Sequence, residues 1–388
     1  MIADNVGAAC GHPTRADRGM RRAATGRPYR RVRLLAILTA AALLLTGCSA
    51  LLEREYASIS PHNAVPTTEG DPSTLRADNY QELVNALVYF VSSGMEEGTV
   101  RLYTDMENVE PFLSDACLEV VQEDPLGAYC VEFIKYTVDP VVAYSEAHIN
   151  ITYRRSREQV SSIVQATGVT AIRSELESAL TSFAPERVLR ISYFDENESF
   201  IQDLAHQAYY DVPAFALGIP EVSVSIYPSS GRQRIVEILL DYPLDRTELE
   251  ERRGELAWEL QLLTRDLTRD GRTPSVLETA QALLEEGEYD PDGASTPFDL
   301  FDTGAVNSEG LSLAFAALCH ELDIPCHVAQ GFRDEEPHFW TVVQTEDGWR
   351  HLDLSNLEGE NSPLYTDQAF TTLGYLWEEG SLPSCIGS

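Results

Sequence analysis

The chain has 388 residues, of which 44% are hydrophobic, so it can bury a sizeable core and is not a disordered polymer. Its 62 acidic and 28 basic residues give a net charge of −34. This charge argues against nucleic-acid binding and against attachment of the folded body to anionic membranes, and it otherwise indicates solubility alone.

The first 47 residues predict a bacterial lipoprotein signal peptide. An arginine-rich segment precedes the apolar run Leu34–Leu45, which is too short to span a bilayer easily. The run ends in Leu45-Thr46-Gly47-Cys48, which resembles the lipobox. The resemblance implies cleavage before Cys48 and attachment of lipid to its sulfur. We therefore expect a protein anchored by lipid at the extracytoplasmic face of the cell membrane.

Residues 48–77 are rich in Ser, Thr, Pro and acidic residues, which predicts a flexible tether. Five cysteines follow Cys48 in the body of the chain, namely Cys117, Cys130, Cys319, Cys326 and Cys385. An extracytoplasmic location permits disulfides, and Cys319 with Cys326 is one plausible pair, although spacing leaves the pairing open. No cysteine or histidine pair has metal-site spacing, so we predict no metal and no cofactor.

An internal repeat with a period of about 90 residues is predicted for residues 78–243. The first copy contains a helix near 81–92, a strand near 99–104, a second helix, and a strand pair that ends near Tyr153. The second copy, with a helix predicted over 158–183, repeats this order, and the pattern VRLYTD returns loosely as LRISYFD. The order predicts a duplicated α+β region of β-α-β-β type, with helices packed on an antiparallel sheet.

Residues 244–388 form the second predicted domain, which begins with two helices. At its centre lies NSEGLSLAFAALCHELDIPCHVAQGF, residues 307–332. Leu311, Phe315 and Leu318 belong to a set at helical spacing, which predicts one buried stripe. Asp323 and Pro325 end the helix, and a strand follows.

Three residues in this domain have the chemical types of a catalytic triad. Ser308 opens the central helix, where the helix dipole favours a nucleophile, and His338 and Asp353 follow downstream. A three-residue turn at 346–348 would place Asp353 opposite Thr341, offset from His338 by about 10 Å along the strand. Contact between the histidine and the aspartate would then need a bulge or a longer turn.

The same segment resembles the transglutaminase-like superfamily of papain-type fold. The family pattern runs Cys-Glu-Gly-Tyr-Ala, an apolar helix, Gly-Ile-Pro, a strand ending in glycine, His-Ala-Trp-Asn and Trp-x-x-x-Asp. Here it reads Ser308-Glu309-Gly310-Leu311-Ser312, Asp323-Ile324-Pro325, Gly331, His338-Phe339-Trp340-Thr341, and Trp349 four residues before Asp353. The match covers residues 290–356, about a fifth of the chain. It implies an α+β domain whose site holds Ser308, His338 and Asp353, with Glu309 as a possible cleft residue. Trp340 and Trp349 are expected in the core or in the wall of the cleft.

This chain departs from the family at the nucleophile, because Ser308 stands where the resemblance implies a cysteine. An imidazolium can hold a thiol as a thiolate, but a hydroxyl must lose its proton during the attack. Cys319 cannot substitute for Ser308, since it lies about 16 Å further along the helix at the usual rise per residue. We therefore expect a catalytically degenerate domain, in which Ser308 serves as a helix N-cap.

Three functional hypotheses follow from these residues. The first is a lipoprotein whose degenerate domain binds a peptide, a protein or cell-wall material. The second is an active serine hydrolase or acyltransferase, in which Ser308 attacks, His338 is the general base and Asp353 orients it. The third is a purely structural surface module. His351 is a weaker alternative partner for Asp353, because both residues share one strand face.

Overall fold

The computed structural model describes residues 66–103, 108–357, 363–378 and 380–387, all within one compact unit that runs from His62 to Ser388. The predicted signal peptide, Cys48 and the predicted tether up to residue 65 lie outside the described residues. Within the described ranges, no helix combines the length and the apolar composition needed to cross a bilayer.

The first copy of the repeat is built on one mixed sheet. Its strands are β1 (Thr67–Glu69), β2 (Asp71–Ala77), β3 (Glu97–Leu102), β4 (Val131–Val141) and β5 (Tyr144–Tyr153), in the order β1-β2-β3-β5-β4. Its helices are α1 (Tyr80–Ser92), α2 (Glu110–Gln122) and α3 (Pro125–Cys130). Helix α1 buries Leu83, Leu87 and Phe90 together, because apolar residues recur every three or four positions along it.

The second copy repeats this arrangement. Its strands are β6 (Val164–Ala166), β7 (Glu186–Ser192), β8 (Glu221–Tyr227) and β9 (Gln233–Asp241), in the order β6-β7-β9-β8. Its helices are α4 (Arg157–Ser161), α5 (Val169–Thr181) and α6 (Glu198–Asp211), followed by a 3-10 turn at Pro213–Phe215. In each copy the first two core strands are parallel and the others antiparallel. The predicted α+β class with a duplicated region is confirmed.

Two boundaries predicted from the sequence in this region are wrong. In each repeat copy the prediction missed the first strand of the core sheet. Residues 67–77 of the predicted tether form β1 and β2, and β2 pairs with β3 while burying Leu75 and Ala77. The single helix predicted over 158–183 is interrupted by β6, because Gly168 at φ 84° separates that strand from α5. Polar composition at 67–77 concealed an alternating pattern with only two buried residues.

The C-terminal part begins with a long helix and ends in an antiparallel sheet. Its first elements are α7 (Arg246–Leu267), α8 (Val276–Leu284), β10 (Glu288–Ala294), α9 (Asp299–Asp302), β11 (Ala305–Val306) and α10 (Ser308–Glu321). The remainder are β12 (Cys326–Arg333), β13 (Glu336–Thr345), β14 (Gly348–Leu352), a 3-10 turn at Leu354–Asn356, α11 (Asp367–Thr372) and β15 (Tyr375–Leu376). The sheet order is β14-β13-β12-β15.

Helix α10 lies at the centre of this part. Every residue from Gly310 to Cys319 is buried, so the helix is enclosed on all sides and does not bury one stripe only. Leu311 and Phe315 pack in the core with α7 and α8, whereas Leu313 packs in the core of the second repeat copy. The repeat region therefore contacts the helix that carries Ser308, which sequence periodicity could not reveal.

The five cysteines of the described residues are free and buried. Cys319 and Cys326, the plausible disulfide pair, lie at the end of α10 and the start of β12. The two sulfurs are not joined covalently, and burial, with the neighbouring Cys326 thiol adding to it, raises the pKa of Cys319 well above its usual value.

Candidate active site

Ser308 is the first residue of α10, and it does not cap the helix as expected. The N-cap is Asn307, whose side-chain oxygen accepts hydrogen bonds of 3.0 Å from the backbone N–H groups of Glu309 and Gly310. The capping role predicted for Ser308 is therefore filled by its neighbour. This leaves the Ser308 hydroxyl available for other contacts.

The Ser308 hydroxyl contacts the strand that carries His338. Ser308 Oγ accepts a hydrogen bond of 3.3 Å from the backbone N–H of Phe339, the residue after His338. Among the described residues, no hydrogen bond joins this hydroxyl to the His338 ring. The strand pairing explains why the Phe339 N–H is available, since β14 pairs with β13 only from Thr341 onward.

His338 and Asp353 are hydrogen-bonded, with 2.9 Å between His338 Nε2 and Asp353 Oδ2. The expected bulge or longer turn is absent from this pair of strands. The turn has two residues, because Thr345 pairs with Gly348, and this register places Asp353 in line with Trp340 instead of Thr341. Trp340 and His338 share one strand face, so Asp353 is a diagonal neighbour of His338 within side-chain reach.

Asp353 is almost completely buried and is held ionised by its neighbours. Burial alone would raise its pKa, but hydrogen bonds from His338, Ser355 and Tyr375 outweigh burial, and the pKa lies below its usual value. Ser355 Oγ donates to Asp353 Oδ1 at 2.6 Å, and Arg333 Nη1 lies 3.5 Å from Oδ2. An ionised carboxylate only accepts hydrogen bonds, so His338 Nε2 donates to Asp353 and Nδ1 is the nitrogen left to face other groups.

Glu309 connects the site to the repeat region. The Tyr210 hydroxyl of α6 donates a hydrogen bond of 2.9 Å to Glu309 Oε1, and the Tyr210 ring packs 5.6 Å from that of Phe339. Burial raises the pKa of Glu309, an effect that the Tyr210 hydrogen bond partly offsets. Glu309 therefore lies against the second repeat copy and does not project freely into an open cleft.

The two tryptophans expected near the cleft differ in exposure. Trp340 is completely buried, as the core alternative expects, and it does not form an exposed cleft wall. It packs against Phe370 and Tyr375 on the sheet face that α11 covers. Trp349 is half-buried and packs against His327 at 5.2 Å between ring centroids.

His351 is not a partner of Asp353 but belongs to a second buried network. The donor-only Trp340 Nε1–H lies 3.0 Å from His351 Nδ1, so Nε2 carries the proton and donates to Asp367 Oδ1 at 2.9 Å. Burial lowers the pKa of His351 despite the nearby carboxylate. The sequence pattern could not distinguish this network from the first, because both lie on one strand face.

One group within the described residues brings potential metal ligands together. Ligand atoms of His351, Asp367 and Cys385 lie within 4.8 Å of one another. Both His351 nitrogens are already engaged, and a metal at Nε2 would have to displace its proton while Trp340 still donates to Nδ1. Burial raises the pKa of the Cys385 thiol to about 12, which disfavours the thiolate a metal needs. These residues fit a hydrogen-bond network better than a metal site.

Several residues of the site carry no sequence signal. Tyr375, Arg333 and Ser355 all contact Asp353, yet neither spacing nor motif singles them out. Asn307 could have been found, since asparagine directly before a helical pattern is a capping signal. Tyr210 could not, because its contact with Glu309 spans 99 residues of sequence.

Comparisons with known proteins agree with this architecture. The family that matches is the Transglutaminase-like superfamily, over residues 262–354. No curated protein matches the chain.

Similar solved structures include a crystal structure of a TGase at 15% identity, covering 64% of this chain and 75% of that one, with a TM-score of 0.26. A candidate cysteine protease from Cytophaga hutchinsonii is 15% identical, with 38% and 65% coverage and a TM-score of 0.24. A candidate protease from Parabacteroides distasonis is 9% identical, with 70% and 45% coverage and a TM-score of 0.21. These low scores carry no functional argument. The family match shows that the chain contains a transglutaminase-like superfamily domain, matched over residues 262–354.

Proposed function

We propose that this protein is a cell-surface lipoprotein, anchored through Cys48, whose transglutaminase-like domain binds a peptide or cell-wall material without catalysing acyl transfer. The observation that carries the proposal is the environment of Ser308. Its oxygen stands at the nucleophile position and accepts a hydrogen bond from the Phe339 N–H, with no described hydrogen bond to the His338 base. Attack by this hydroxyl would require proton transfer to His338.

The remaining parts of the site support binding. Asp353 fixes the orientation of His338, and Ser355 and Tyr375 fix Asp353 in turn. Polar groups held in one position bind a ligand with little loss of conformational entropy. A site that has lost its nucleophile can therefore retain affinity for the class of ligand that fits its cleft.

A serine hydrolase or acyltransferase is the competing function, and the intact hydrogen bond between His338 and Asp353 favours it. A fluorophosphonate probe separates the two, because it labels only an activated serine. We expect the full-length chain in detergent to remain unlabelled at Ser308. Labelling that disappears in Ser308→Ala and in His338→Ala would overturn the non-catalytic proposal in favour of a serine enzyme.

The binding claim needs its own measurement. Soluble muropeptides and a random peptide pool are dialysed against the full-length chain, and retained species are identified by mass spectrometry. We expect enrichment of one of these two classes. If neither class is retained above the level of heat-denatured chain, the domain does not bind the ligands proposed here.

A further inference from the structure

A groove of about 1060 Å³ lies beside β12, and its lining includes Tyr210, the residue that donates to Glu309. We call it the β12 groove. Helices α5 and α6 of the second repeat copy contribute Arg173, Glu177 and Asp211, and the segment after β15 contributes Glu378 and residues 380–383. The strand itself contributes His327, Val328 and Gln330.

The β12 groove follows the edge of the sheet. His327 and Val328 are consecutive in an extended strand, so their side chains project to opposite faces. A cavity lined by both residues must therefore pass around the strand edge. On that side β12 pairs with β15 only at Phe332 and Arg333, and no other described strand pairs with the edge.

The hydrogen-bonding groups of this edge can be assigned from the register. Gln344 N–H donates to Pro325 O, so the odd-numbered residues of β12 bond to β13 and the even-numbered ones point to the other edge. The backbone N–H and C=O groups of Val328 and Gln330 thus face the groove. Neither residue's backbone has a hydrogen-bond partner on that side among the described residues, whereas His320 contacts the carbonyl of Cys326.

Charge indicates what the β12 groove would accept. Its side chains include three carboxylates, on Glu177, Asp211 and Glu378, against the single guanidinium of Arg173. Arg173 is already paired with Asp211 and Glu177. His327 adds no positive charge at neutral pH, because burial lowers its pKa below the usual value. The groove therefore has an excess of negative charge, which favours a cationic partner.

We propose that the β12 groove is a docking site for an extended segment of another protein, rich in lysine or arginine, which adds to β12 as an extra strand. An unpaired strand edge supplies main-chain hydrogen bonds in this mode of recognition, and flanking side chains supply selectivity. The added strand would lie two strand spacings, about 10 Å, from β13. The peptide would bond to the edge of β12 and not to β13, so its binding does not depend on whether Ser308 is catalytic.

The first test uses a fluorescein-labelled nonapeptide of alternating threonine and lysine, titrated against the full-length chain by fluorescence anisotropy. Two derivatives are N-methylated, one on the threonine amides and the other on the lysine amides. Because alternate amides of a strand point to opposite edges, we expect one derivative to bind at least tenfold more weakly and the other to bind like the parent. Absence of binding by the parent, or equal effects of the two methylation patterns, would overturn the proposal.

The second test uses two pairs of variants. One pair changes the backbone of β12, and the other changes the charge of the groove. Gln330→Pro removes the outward N–H, whereas Gln330→Ala removes only the side chain, so only the proline variant should lose tenfold or more in affinity. Glu378→Lys should weaken binding, while Glu255→Lys, an equal charge change on α7, should not. Equal affinities within either pair would contradict strand addition or charge selection respectively.

Hydrogen exchange followed by NMR shows which amides the peptide contacts. It uses the unsubstituted chain, so its result does not depend on whether a variant folds. In the free chain, we expect fast exchange of the Val328 and Gln330 amides beside slow exchange of Ala329, and protection of the first two when the peptide binds. Protection of both amides in the free chain would mean that the chain covers its own edge, which would overturn the proposal. Fluorophosphonate labelling of Ser308 would leave this result unaffected, so the two proposals fail independently.

Discussion

His338 and Asp353 are joined by a hydrogen bond of 2.9 Å although Asp353 stands in register with Trp340, two residues further along β13. The diagonal arrangement works because residues two apart in a strand share a face. It also lets Asp353 remain beyond the end of β14, where Ser355 and Tyr375 can reach it. The register of one two-residue turn thus determines the geometry of the whole site.

Substituting Asp353 tests how strongly this arrangement stabilises the fold. Asp353→Asn removes a buried charge that four side chains contact, and we expect a loss of about 3 kcal/mol in the free energy of unfolding measured by urea titration. Asp347→Asn, at the exposed turn, is the control and should cost little. A loss no larger than that of the control would show that the buried carboxylate is not held as described.

The free energy of unfolding at acidic pH should also depend on the Asp353 carboxylate. The pKa of Asp353 is lower in the folded state than its usual value of 3.8, so its stabilising contribution is present above that pH and is lost as pH falls through the folded pKa. Asp353→Asn should therefore flatten the dependence of unfolding free energy on pH below 3.8. If the free energy of unfolding of the variant depends on pH below 3.8 as steeply as that of the parent, the pKa of Asp353 is not lowered in the folded state.

The Glu309 carboxyl should affect stability in the opposite direction as pH changes. Burial raises its pKa above 4.5, so its protonated form favours the folded state, and the stability it contributes at low pH is lost as pH rises through the folded pKa. Glu309→Gln should therefore be more stable than the parent at pH 7. Tyr210→Phe, which removes the hydroxyl donor, should lose about 1–3 kcal/mol at that pH. If both variants shift stability in one direction, Glu309 is not a half-buried carboxylate held by Tyr210.

His351 predicts a third pH dependence. Burial lowers its pKa below 6.5, so the unfolded chain binds this proton more readily and stability falls as pH drops below 6.5. His351→Gln, which keeps an acceptor for Trp340, should reduce the difference in unfolding free energy between pH 7.5 and pH 5.5. His206→Gln removes an exposed imidazole and is the matched control. An equal pH dependence in the two variants would count against a buried neutral His351.

Sequence alone located the elements that local pattern encodes. The apolar run after Ser308 predicts α10, and Asp323 and Pro325 predict its end, since both signals act within a few residues. The family pattern then brought Ser308, His338 and Asp353 into one domain. The strand β2 was missed because its two buried residues, Leu75 and Ala77, are too few to outweigh a polar composition.

Contacts between residues far apart in the chain could not be predicted from the sequence, for a different reason. Tyr210 reaches Glu309, and Leu313 packs in the core of the second repeat copy, only because the repeat region packs against α10. No periodicity reports contacts between distant segments. The choice between core and cleft wall for Trp340 was open for the same reason, because Phe370 of α11, which packs against it, lies 30 residues further along the chain.

The candidate site retains a histidine base held by a carboxylate and lacks the thiol that its family pattern places at residue 308. Ser308→Cys in the full-length chain restores the sulfur, and the alkylation rate of that residue by iodoacetamide, followed by peptide mass spectrometry, reports its thiolate character. We predict a rate about tenfold or more above that of an exposed cysteine introduced at Ser93, reduced to that level by His338→Ala. A rate equal to that of the cysteine introduced at Ser93 and insensitive to His338→Ala would show that His338 does not act as a base at this position.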